Sequence, residues 1–190
     1  MTTVALYGGS FNPPHCGHVL AATYVLQACA VDQLWVEPVL QHPLGKQLAA
    51  DFETRVQLCQ LAFGFLAPRL QVRRDEQGGN GRTLDLIERL QLQHPHHQFR
   101  LIIGSDILHE AARWHRFEQV LQLAPPLVLQ RQGYAISAGF VGEVLPLVLP
   151  QASSTALRQR LAAGQTLDGL VPIAVSAHID RLGLYRAVGP

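Results

Sequence analysis

Six short apolar runs alternate with helical patterns along this chain, and that alternation restricts its fold more than any other feature. TVALY (3–7) runs into Gly8-Gly9, and QLWVEPVL (33–40), RLQVRR (69–74), FRLIIG (99–104), PPLVLQR (125–131) and VLPLVLP (144–150) follow as further strand-like runs. Helical patterns fill residues 17–29, 51–66, 82–93, 117–124, 153–164 and 171–182. FRLIIG is the clearest strand, since a continuous Leu101-Ile102-Ile103 run suits a parallel strand covered on both faces. The order β-α-β-α-β-α-β-α-β-β-α-α predicts right-handed crossovers and an α/β, doubly wound parallel sheet finished by C-terminal helices. In such sheets ligands lie at the carboxyl ends of the strands. Gly8-Gly9 and Gly104-Ser105-Asp106 are the two strand ends that draw attention.

Composition narrows the partners. At 190 residues with 48% apolar residues, the chain is expected to form one domain, 1–190, with a real core. Residues 151–190 are read as its C-terminal helical part. Only 15% of residues are charged and the net charge is +1, which argues against nucleic acid or a membrane surface as partner. A small anion needs only a few local donors and stays compatible. Three cysteines without CxxC spacing suggest neither a disulfide framework nor a zinc ribbon. MTTVALYGG lacks the pattern of a signal peptide, and no apolar run approaches the ~20 residues that span a bilayer. The expectation is a soluble, cytoplasmic protein.

The stretch GGSFNPPHCGH (8–18) carries the most chemistry. Glycines after a strand let a ligand approach the backbone, and the helix that follows offers unpaired N–H groups to an anion. The spacing is neither GxGxxG nor GxxxxGK[ST]. His15 and His18 bracket the start of that helix and can donate to phosphate oxygens. Cys16 between them is either a passive position or a thiol activated by the helix N-terminus. In SSTALR (153–158), Ser153, Ser154, Thr155 and Arg158 place hydroxyls, backbone N–H groups and a guanidinium around one helix start. An ordinary N-cap with a surface arginine would look the same. HPHH (94–97) is read as a turn and not as a metal site.

GGSFNPPHCGH resembles the [HT]xGH signature of the nucleotidyltransferases. Within that superfamily the chain resembles the bacterial nicotinate-nucleotide adenylyltransferase family over nearly its whole length. IIGSDILHEAARW (102–114), ASSTALRQRL (152–161) and LVPIAVSAHIDRLGLY (170–185) resemble three further family motifs in the same order. The resemblance implies a Rossmann-like nucleotidyltransferase fold. It also implies adenylyl transfer from ATP to nicotinate mononucleotide, giving deamido-NAD and pyrophosphate in NAD biosynthesis.

By the same resemblance, His15, His18, Lys46 and Arg158 form the catalytic set. Gly8, Gly9, Ser10, Phe11, His15, His18, Gly104, Asp106, Ser153, Ser154, Thr155 and Arg158 would bind ATP. Thr83, Trp114, Arg131 and Lys46 would bind the pyridine nucleotide, with Trp114 stacking on the ring. Lys46, the only lysine, matches the family, but QHPLG before it departs from the usual PPH, which leaves the path of residues 41–46 and any part for His42 open. Arg82 stands where the family often has Tyr, in the region that sets acid or amide preference. Asn12 is read as loop support. Mg²⁺ would arrive with ATP, held by phosphates and water, with no metal site on the protein.

Rival readings are a nicotinamide mononucleotide-preferring or dual-specificity enzyme, another HxGH enzyme such as a phosphopantetheine adenylyltransferase, and a non-catalytic nucleotide-binding protein. A homo-oligomer is compatible with all of them.

Overall fold

The structure is a computed structural model that describes residues 1–41, 48–137, 140, 142–150 and 152–186. Strands β1 (Thr2–Gly9), β2 (Gln33–Pro38), β3 (Leu70–Val72), β4 (His97–Gly104), β5 (Pro126–Arg131) and β6 (Glu143–Leu149) form one sheet in the order β3-β2-β1-β4-β5-β6. Every described pairing is parallel. The strand order reverses between β1 and β4, which opens a crevice above their carboxyl ends. β6 joins β5 with a register shift at Leu129/Gln130.

Seven helices among the described residues cover the sheet: α1 (Cys16–Ala28), α2 (Phe52–Phe63), α3 (Thr83–Gln93), α4 (Ser105–His109), α5 (Phe117–Leu123), α6 (Ser154–Ala162) and α7 (Ile173–Leu182). The strand alternation sorts side chains into two cores. Val4 and Leu6 of β1 pack with Leu84, Ile87 and Leu90 of α3 and Val120 of α5. Ala5 and Tyr7 face the other way, toward α1, α2, α6 and α7. Burial on both faces is why the strands read as continuous apolar runs rather than as alternating ones.

α1 can lie close to the sheet because its inward residues Ala21 and Ala22 are small, and both are fully buried. Asp51 caps α2 by accepting from the Thr54 N–H at 2.7 Å. α4, at five residues, is too short to show a helical period. The C-terminal helices join the α1 and α2 core through Leu157, Leu161, Val175 and Ile179. Among the described residues no helix is long and apolar enough to cross a membrane.

Candidate active site

A cavity of about 670 Å³ opens above the switch point. Its wall includes Gly8, Gly9, Ser10 and His18 from the β1 end, Gly104, Asp106 and Arg131 from β4 and β5, and Thr83 and Trp114. Sequence-predicted residues from both halves of the chain therefore meet in one place.

The β1–α1 turn explains the HxGH spacing. Gly17 has no side chain because the His15 imidazole lies where one would be: an added Cβ would sit 3.1 Å from that ring. The ring of His15 then stacks on His18 with centroids 3.7 Å apart. The His15 backbone N–H donates to Nδ1 of His18 at 3.1 Å. Nδ1 accepts, so the neutral ring carries its proton on Nε2. Phe11 packs edge-on against His18 at 5.0 Å.

Both histidines are neutral donors in the free protein. Burial, followed by the Arg131 charge, lowers His15 to about 4. Burial, then His15, then Arg131 holds His18 well below the usual histidine value. They are oriented dipoles, and among the described residues the fixed cations of the cavity wall are arginines.

The two glycines differ in role. A Cβ on Gly8 would project into open space, so the bare backbone forms part of the cavity floor. A Cβ on Gly9 would meet the Phe11 ring at 3.1 Å. Phe11 itself takes the left-handed conformation, φ 44°, and is 1% exposed. The unusual backbone of the turn thus falls on an aromatic residue held by packing against Tyr7 and Phe63.

The C-terminal motif braces this turn from outside the cavity wall. Arg158 donates through Nη1 to the Asn12 carbonyl at 2.7 Å and through Nη2 to Thr155 Oγ1 at 3.2 Å. Ser154 Oγ donates to the Pro13 carbonyl at 2.8 Å. Ser153 caps α6 by accepting from the Ala156 N–H at 3.1 Å. All three of the motif's hydroxyls are therefore engaged in structural bonds. Asn12 supports the loop as expected: its Oδ1 accepts from the Tyr185 hydroxyl at 2.8 Å.

On the β4 side, Asp106 and Arg131 form an ion pair at 3.3 Å. A Cβ on Gly104 would collide with that carboxylate and lie 2.9 Å from Arg131 Nε, so the pair folds over the strand end in space that a side chain at 104 would contest. Trp114 packs edge-on against Phe117 at 5.5 Å. Lys46 and His42 lie outside the described residues.

Arg55 was missed in the sequence. It is 1% exposed and donates to the carbonyls of Ser10 at 3.0 Å, Ala50 at 3.2 Å and Leu40 at 3.4 Å. It thereby ties α2 to the turn after β1. The available signal was an arginine in the apolar stripe of α2, in line with Leu58, Cys59 and Ala62.

The cytidylyltransferase-like family matches residues 6–160. A protein of Anaeromyxobacter sp. (strain K) named "Probable nicotinate-nucleotide adenylyltransferase" is 40% identical over 189 residues, covering 96% of each chain. One of Myxococcus xanthus (strain DK1622) with the same name is 41% identical over 184 residues, covering 96% of this chain and 94% of that one. The chain belongs to the nicotinate-nucleotide adenylyltransferase family. The fold agrees. The Plasmodium falciparum nicotinic acid mononucleotide adenylyltransferase complexed with NaAD superposes with a TM-score of 0.85 at 18% identity, over 97% of this chain and 98% of that one. In open α/β sheets ligands bind in the crevice at such a switch point.

Proposed function

We propose that this chain transfers the adenylyl group of ATP to nicotinate mononucleotide, releasing pyrophosphate and giving deamido-NAD for NAD synthesis. The observation that carries the reading is the pinned His15–His18 pair at the N-terminus of α1, opening on a cavity that also holds Asp106, Thr83 and Trp114. The name shared by the relatives supplies the substrate.

The attacking 5′-phosphate is already an anion, so the reaction needs no general base. Catalysis is then alignment of two nucleotides and stabilisation of charge on the phosphates. His18 Nε2–H is the oriented donor for the α-phosphate, and the N–H groups at the start of α1 add to it. His15 orients His18 and closes the site behind it. Arg158 and the 153–155 hydroxyls sit on the side of the β- and γ-phosphates, where Arg158 doubles as brace and cation. Gly104 and Asp106 take the adenosine end. Thr83, Trp114, Arg131 and Lys46 take the pyridine nucleotide.

Mg²⁺ enters as part of the ATP substrate. The cation is then held by the phosphates and water, as Mg²⁺ prefers. Residues 1–190 are read as one nucleotidyltransferase domain working on small molecules in the cytoplasm.

The test is pyrophosphate release from ATP with nicotinate mononucleotide, nicotinamide mononucleotide and phosphopantetheine. The expected result is the highest kcat/KM with nicotinate mononucleotide. No release with any acceptor overturns the enzyme reading, and a higher kcat/KM with the amide overturns the choice of substrate.

A further inference from the structure

Glu37 ends β2 as a buried acid for which the chemistry above has no use. It is 1% exposed, it lines the cavity, and its buried carboxyl oxygens are offered no cationic or N–H donor among the described residues; the side chain it meets is another acid, Asp75. Alternation along β2 puts Glu37 on the face of Trp35, which packs with α3. The parallel register sets it opposite Gly8, where the cavity floor has no side chain. Gly81, Arg82 and Thr83 at the start of α3 line the same cavity.

The neighbouring cation is committed elsewhere. Arg73 pairs with Asp75 at 2.8 Å and lies over the Trp35 ring at 4.2 Å. Glu76 is a second buried acid, 4% exposed, in the same wall. An ionised carboxylate without partners is expensive to bury, so the neutral acid is the favoured form. Burial, then Asp75, pushes Glu37 up to about 9, with Glu76 adding and Arg73 opposing.

We propose that Glu37 selects the acid form of the pyridine mononucleotide by donating its carboxyl O–H to the nicotinate carboxylate, beside the N-terminus of α3. This deepens the adenylyl-transfer reading and rests on it. A carboxylate ligand meets repulsion once Glu37 ionises, because two anions then face each other without the shared proton. A nicotinamide gains less and risks less: its carbonyl accepts only a neutral hydrogen bond from the protonated acid, weaker than the charge-assisted one to a carboxylate, and its NH₂ donates to the ionised oxygen. The acid substrate needs the Glu37 proton and the amide does not.

The charged groups that act on Glu37 are Arg73, Asp75 and Glu76 after β3, and Gly8 of β1 brings none; His18, Arg82, Asp106, Glu110, Arg113, His115 and Arg131 share the wider cavity wall. Substitution at Glu37 separates its titration from theirs.

The experiment is kcat/KM for both pyridine mononucleotides across neutral to alkaline pH. In the wild-type protein the acid-to-amide ratio should fall as pH rises through about 9. Glu37→Leu should lower the ratio at neutral pH by at least about tenfold, mostly through KM for the acid. Glu37→Gln keeps a donor that does not titrate, so it should hold the ratio at neutral pH and remove the alkaline fall. An unchanged ratio in Glu37→Leu, or the same alkaline fall in Glu37→Gln, overturns the proposal. A wild-type protein that makes dinucleotide from neither mononucleotide refutes the adenylyl-transfer reading instead.

Discussion

The backbone N–H of His15 holds Nδ1 of His18 at 3.1 Å, and this one bond decides which nitrogen of His18 can serve a phosphate. The Nε2 proton is fixed before substrate arrives, so no reorganisation is needed at the moment of reaction. Removing such a donor typically lowers turnover by about 10²–10³-fold. His18→Ala should show that loss in steady-state pyrophosphate release. Near-normal turnover would take His18 out of the chemistry.

Gly8 and Gly17 should respond in opposite ways to the same methyl group. Gly8→Ala places its Cβ in open cavity, so thermal stability should hold while KM for the nucleotides rises. Gly17→Ala drives a Cβ to within 3.1 Å of the His15 ring. The resulting overpacking should destabilise the fold by about 1–3 kcal/mol and disturb the stacked pair. Melting temperature and KM measured on both variants distinguish the two roles. A Gly8→Ala protein with unaltered KM would show that no ligand approaches that backbone.

Arg55 satisfies three carbonyls from three separate segments through one buried and two part-buried hydrogen bonds. Arg55→Met should cost about 3 kcal/mol in urea unfolding, because those carbonyls lose their donors. Arg55→Lys should restore only part of it, since one ammonium cannot reproduce the guanidinium fork. Full recovery by lysine would reduce the role of Arg55 to charge alone.

Two buried groups bend the stability–pH curve in opposite senses. His15 has its folded value lowered from 6.5 to about 4. Between those values the unfolded chain binds the extra proton, so stability falls as pH drops through that window. Glu37 has its folded value raised from 4.5 to about 9. There the folded chain binds the extra proton, so its contribution is complete below 4.5 and is lost as pH rises toward 9. His15→Gln should therefore flatten the acid limb of a Tm–pH profile, and Glu37→Gln the alkaline limb. Parallel profiles for variant and wild type would contradict the corresponding shift.

The strands and long helices were legible because two-sided burial leaves continuous apolar runs and helical periods. β3 is shorter than RLQVRR suggests: only Leu70–Val72 pairs fully, and Arg73 adds a single N–H bond to the Val36 carbonyl at 2.9 Å. The candidate site was legible where residue type announces chemistry, as at His18 and Asp106, which both line the cavity. It was illegible where a side chain acts on distant backbone. Arg55 reaches Ser10 across 45 positions, and no local pattern encodes that distance. The burial of Glu37 was hidden too, since an acid inside QLWVEPVL reads as a polar interruption of a strand.

Tyr185 grips Asn12 from 173 positions down the chain. During synthesis the histidine turn leaves the ribosome early, while its clamp has yet to be translated. Arg158 and Ser154 also come late. A nascent chain thus carries His15 and His18 with the Asn12 and Pro13 carbonyls ungripped. The histidine turn has its full set of braces only once the segments of Ser154, Arg158 and Tyr185 have docked.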